Sequence, residues 1–193
     1  MKHLVISVYN EDLSWVKSID FADKIFIYNK GNQFIDNSIR LPNVGREAHT
    51  FIYHIVNHYN NLPDYLITLQ GCPFPHLRNI NEENINEVFK NHNYTNKRHT
   101  FHELMIDSSG GTANLYQKYF ENVPDEIWFG PGAQWIMPKE KILSKSLNFY
   151  TNVLYELMID RKSSQDGIVN AWTMEGLWNY ILDDNVKEKN IFI

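Results

Sequence analysis

Three short apolar runs, each breaking off into a polar cluster, constrain this chain more than any other feature. Leu4-Val5-Ile6-Ser7-Val8-Tyr9 stops at Asn10-Glu11-Asp12, and Lys24-Ile25-Phe26-Ile27-Tyr28 stops at Asn29-Lys30-Gly31. The third, Tyr65-Leu66-Ile67-Thr68-Leu69, runs into Gln70-Gly71-Cys72-Pro73-Phe74-Pro75-His76. Continuous β-branched runs fit strands covered on both faces. The glycine and two prolines after the third run forbid further regular pairing. Between the second and third runs, Ala48, Phe51, Ile52, Ile55 and Tyr59 recur at helical spacing, which predicts a helix over 46–59 that Leu62-Pro63-Asp64 ends. The result is a parallel strand-helix-strand unit. A shorter helix is expected over 13–19, where Leu13, Val16 and Ile19 share a side.

The rest of the chain reads less regularly. Asn81 can cap a helix through Asn91, 91–100 reads as a surface loop, 100–106 as an edge strand and 114–122 as a short helix. Gly130-Pro131-Gly132-Ala133 introduces a strand over 134–137, and Pro138 suits the first position of a helix through Leu143. Helices over 148–160 and 169–182 follow, with a last strand over 187–193. No repeat or linker breaks the chain, so residues 1–193 read as one α/β domain: a Rossmann-like, mixed but mostly parallel sheet flanked by helices.

Composition narrows the function classes. With 193 residues, 43% of them hydrophobic, the chain can bury a full core. A net charge of -5 with scattered Lys and Arg offers no footprint for nucleic acid. The single cysteine, Cys72, excludes an intramolecular disulfide framework and a zinc site built from several thiolates. The opening residues do not resemble a signal peptide and no run approaches membrane-spanning length, so the expected location is cytoplasmic, or the host-cell cytosol for a viral protein. Oligomeric state is left open.

In open α/β sheets, ligands bind beyond the carboxyl ends of the strands. The clusters at 10–12, 29–31 and 70–76 should therefore share one rim. Arg46, Glu47 and His49 follow Gly45 in the first turn of a helix, where they can attract phosphate; equally, Glu47 can simply complement the helix dipole. Lys30 can neutralise a diphosphate or be a solvated charge. His76 can be a metal ligand or a structural imidazole, and Cys72 a nucleophile or a buried thiol. Gly110-Gly111 can be a mobile loop or a plain turn. Trp135, Trp172 and Trp178 can form a sugar-stacking surface or belong to the core. Glu175 sits within an apolar helix and is the first candidate for a general base. No GxGxxG or P-loop pattern occurs.

The segments Val8-Tyr9-Asn10-Glu11-Asp12-Leu13-Ser14-Trp15, Ile27-Tyr28-Asn29-Lys30-Gly31, Leu41-Pro42-Asn43-Val44-Gly45-Arg46-Glu47-Ala48-His49-Thr50, Leu69-Gln70-Gly71 with Pro73-Phe74 and His76, and Phe129-Gly130-Pro131-Gly132-Ala133-Gln134, with Glu175, Trp178 and Ile181, resemble a family of GT-A-like glycosyltransferases. That family has fungal, bacterial and large-DNA-virus members and was once catalogued as a domain of unknown function. The resemblance implies a GT-A-like fold, a uridine-diphosphate sugar as donor, a glycan or other hydroxyl acceptor, and a divalent metal, manganese or magnesium. On this reading Tyr9, Asn10 and Glu11 hold the base and ribose, and Lys30 and Arg46 with the Gly45 helix start hold the diphosphate. Gln70 and Gly71 complete the rim. Glu175, with Asp107 behind it, takes the acceptor's proton if the reaction inverts the sugar. The Asp-x-Asp pair that usually holds the metal is absent, leaving His76 as the nearby ligand candidate. The rival readings are a catalytically inactive nucleotide-sugar or glycan-binding module and a nucleotidyltransferase.

Overall fold

The computed structural model describes residues 1–102, 104–106, 113–122, 124–159 and 171–189. Its centre is a six-stranded sheet of order β3-β2-β1-β4-β8-β5. Strands β1 (Lys2–Val8), β2 (Lys24–Asn29), β3 (Ile39–Arg40) and β4 (Tyr65–Gln70) are mutually parallel where they pair. Strand β8 (Trp135–Pro138) runs antiparallel to β4, and β5 (His99–Thr100) antiparallel to β8. This is the mixed, mostly parallel α/β sheet that the apolar runs demand.

Side chains alternate across it with the period of two that a pleated strand imposes. Leu4, Ile6, Ile67, Leu69 and Ile136 face one apolar cluster with Trp15, Phe21, Ile85 and Phe89. Val5, Leu66, Trp135 and Met137 face the other, to which α1 (Arg46–His58), α5 (Leu147–Met158) and α6 (Ala171–Ile181) all contribute buried residues. Phe51, Ile52 and Ile55 of α1 are fully buried there, each contributing about 2 kcal/mol of apolar transfer. At the start of α5 the Ser146 hydroxyl accepts the Phe149 N–H at 3.1 Å, as an N-cap should.

Several local expectations shift. The helix expected over 13–19 is a 3-10 segment, Ser14–Ser18. The helix expected from Asn81 begins later, as α2 (Ile85–Asn91), because the Asn81 side chain is spent on the N–H groups of Glu83 and Asn84 in a preceding turn. The single edge strand expected over 100–106 is two pieces: β5 on the main sheet, and β6 (Met105–Ile106), which pairs with β7 (Trp128–Phe129) in a separate hairpin. Helix α3 (Ala113–Tyr119) is shorter than expected, and Pro138 ends β8 rather than opening α4 (Lys139–Ile142). Of the tail strand, the described part is a bridge between Phe120 and Glu188. Among the described residues no helix is long and apolar enough to cross a membrane.

Candidate functional site

The chain leaves β1 toward β2 and β3 on one side, then returns through α1 to β4 on the other side of β1. That reversal is the crevice where open α/β sheets hold ligands. A cavity of about 430 Å³ occupies it. Ser7, Val8, Tyr9 and Glu11 line it from the end of β1, Lys30 from β2, and Gln70, Cys72 and His76 from β4. Asn43, Arg46 and Glu47 close it from the start of α1.

Each wall is shaped by close packing. Glu11 folds the β1 loop back, its Oε2 accepting the N–H groups of Tyr9 at 2.6 Å and Asn10 at 3.1 Å. Its carboxylate lies flat against Gly71, where a Cβ would stand 2.8 Å from Oε2. At Gly31 a Cβ would sit 1.3 Å from the Tyr9 carbonyl oxygen, so only glycine fits beside the β1 loop. Gly45 has φ of +57° and Arg46 +47°, so the chain enters α1 through two left-handed residues. The first suits glycine; the second strains an arginine. A Cβ on Gly45 would also meet His49 and the Leu157 carbonyl.

The charged groups are held rather than free. Lys30 is buried, contrary to its reading as a solvated charge, and its ammonium donates to the Val44 carbonyl at 2.5 Å and to that of Arg46. It thus pins the turn before α1 while still facing the cavity. Arg46 stacks over the exposed Trp172 ring, 4.6 Å from its centroid. His49, buried behind the turn, is pushed down to about 4 by burial and by Lys30.

Glu175 joins this region from α6. It accepts the Gly132 N–H at 3.3 Å. Gly132 in turn packs against His76, whose ring would collide with a Cβ there at 2.8 Å. Burial pushes the Glu175 carboxyl above the usual carboxylate range; the charge of Glu47 adds to this, while the Gly132 N–H, Arg46 and His102 oppose it. A carboxylate so raised is a better proton acceptor when ionised.

Tyr9, Glu11, Lys30, Arg46, Gln70 and His76 therefore share one cavity, with Glu175 one contact away from His76. Asn10, Gly45 and Gly71 shape the walls without lining them. Asp107 and Gly110-Gly111 lie outside the described residues. Trp135 and Trp178 are core, at 1% and 0% exposure, so neither offers a ring face for stacking; Trp172 is exposed. Cys72, expected to be buried, is exposed on the wall. Glu47 lies on the wall, as its place in the first turn after Gly45 suggested, whereas sequence reasoning missed Ser7 and Asn43, the second of which the same Gly45 turn could have signalled.

Among the described residues no group of three or more His, Cys, Asp or Glu side chains could hold a metal ion. No curated protein and no solved structure matches the chain. Residues 4–93, from β1 through α2 and so including every wall of the cavity, match the model of a family described as "Protein of unknown function (DUF3431)".

Proposed function

We propose that this chain is a glycosyltransferase that moves a sugar from a nucleotide-diphosphate sugar, a uridine-linked one, to a hydroxyl of a glycan or other acceptor. The observation that carries the reading is the cavity at the β1/β4 reversal, bordered by two cations and the start of a 13-residue helix. The first N–H groups of a helix have no partner within it and favour an anion such as a diphosphate. Lys30 and Arg46 stabilise the negative charge that grows on the leaving phosphate oxygen as the bond to the anomeric carbon breaks, and so favour the transition state over the ground state. Tyr9 and Glu11 bind the nucleoside end. Glu175 takes the acceptor hydroxyl's proton as that oxygen bonds to the anomeric carbon in an inverting transfer.

Glu175→Gln keeps the shape of the side chain and removes the base. It should leave donor binding intact and slow release of nucleoside diphosphate by roughly 10²- to 10⁴-fold. Full turnover in that variant removes Glu175 from the mechanism. The absence of an Asp-x-Asp pair favours a second reading, an inactive module that binds the donor. Donor binding without transfer or hydrolysis, with manganese and magnesium both tried, would select it. Release of pyrophosphate would instead identify a nucleotidyltransferase.

A further inference from the structure

A second cavity, of about 500 Å³, opens beside the edge strand β5, against β8, α4 and the end of α6. The loop 130–134 is the partition between it and the first. On one side of the partition Gly132 touches His76 of the first cavity; on the other, Gly130 packs against Thr100 and Trp135 of the second. Helix α6 spans the same divide. Glu175 bonds to the partition through Gly132, and Asn179, one helical turn later, lines the second cavity. His102, also on that wall, feels the charge of Glu175.

The chemistry of this wall differs from that of the first cavity. Its charges mostly pair off: Arg98 bonds to Asn179 at 2.8 Å and approaches Asp183 at 3.5 Å, Lys141 pairs with Asp184 at 2.7 Å, and Lys97 adds one further cation to the wall. Asn185 donates twice to Asp183, fixing that carboxylate's orientation. Planar amides and ion-paired carboxylates offer donors and acceptors side by side. Vicinal hydroxyls present that same alternation, and the volume lies within the range of small-molecule sites.

We infer that the cavity between β5 and the end of α6 binds an uncharged, polyhydroxylated ligand, a sugar, as the acceptor of the transfer. Its role as acceptor site rests on the transferase reading, whereas its affinity for sugar does not. Glu175 then stands at the partition between the two substrates, where a single carboxylate can reach the hydroxyl about to react.

Two indole N–H groups report on the two cavities separately. Trp15 Nε1 donates to the Gly71 carbonyl at 2.9 Å, behind the first cavity, and Trp135 lines the second with its Nε1–H unpartnered among the described residues. Their resonances, assigned through bonds in the wild-type protein, would be followed by NMR. The titrants are uridine diphosphate and the methyl glycosides of glucose, galactose, mannose, xylose, rhamnose and glucuronic acid. At least one neutral glycoside should move the Trp135 signal saturably and leave Trp15 in place. Asn179→Ala, and the exposed and structurally milder Asn185→Ala, should weaken that titration roughly three- to tenfold, the loss of one hydrogen bond. A Trp135 signal that no glycoside moves, or that only the glucuronide moves, overturns the assignment even if the nucleotide shifts Trp15. A glycoside response with no nucleotide response keeps the sugar site and sinks the transferase reading instead.

Discussion

Lowering the pH from 7 to 5 should cost this protein several kcal/mol of stability, through histidines buried in their neutral form. His54 and His49 are 0% and 2% exposed. Burial pushes His54 down to about 3, helped by His58 and His3, and His49 down to about 4, helped by Lys30. Burial, then Lys24 and His58, lowers His3 as well, with Asp23 opposing. In the unfolded chain these imidazoles titrate near 6.5. Between that value and the folded one, the unfolded state binds protons that the native state refuses. Stability is therefore fully present above the unfolded pKa and is lost as pH falls through the window from about 6.5 toward 3 to 4. At pH 5 each of His49 and His54 should cost about 2 kcal/mol, together about 4, a large part of the 5–15 kcal/mol typical of a domain. Glu175, raised in the native state, works the opposite way and offsets a fraction. Urea unfolding followed by tryptophan fluorescence at the two pH values measures the difference directly. His54→Gln should remove roughly half of it. Equal stability at pH 7 and 5, or an undiminished difference in both His54→Gln and His49→Gln, refutes the reasoning.

Gly31→Ala should destabilise the fold by about 3 kcal/mol or more, because the new Cβ would overlap the Tyr9 carbonyl and only backbone can give way; an unchanged melting temperature would show that the β1 loop is looser than described. Cys72 is the chain's single cysteine and stands exposed on the cavity wall, so a bound donor should slow its alkylation by iodoacetamide. Alkylation at the same rate with saturating nucleotide sugar would place the donor elsewhere.

How much of this was legible beforehand follows from the range of the interactions. The ends of β1, β2 and β4 and the periodic face of α1 are written in neighbouring residues, and the cavity forms where those ends meet. The short strands β3 and β5 depend on partners far along the chain and carry little signal of their own. Lys30 looked solvated because its burial is decided by two carbonyls, those of Val44 and Arg46, that a turn brings back over it. Asn81 is a good capping residue, but its side chain was captured by a turn one step earlier. The link from His76 through Gly132 to Glu175 crosses three distant segments, so His76 and Glu175 were each legible as candidates but their connection was not. The second cavity left no mark in the sequence at all, since Arg98, Asn179 and Asp183 assemble only across the sheet edge.

The central claim is that the cavity at the β1/β4 reversal holds a nucleoside diphosphate and its sugar. Thermal melting of the purified protein with uridine, guanosine, cytidine and thymidine diphosphates and their sugars, each with and without manganese or magnesium, tests it most directly. Ligand at about a hundred times its Kd adds about 2.7 kcal/mol, which for a chain of this size should raise the melting temperature by roughly 5 °C or more. The account predicts that rise selectively for a uridine nucleotide, and its loss in Arg46→Ala. Folded protein whose melting no nucleotide alters, with either metal or none, would contradict it.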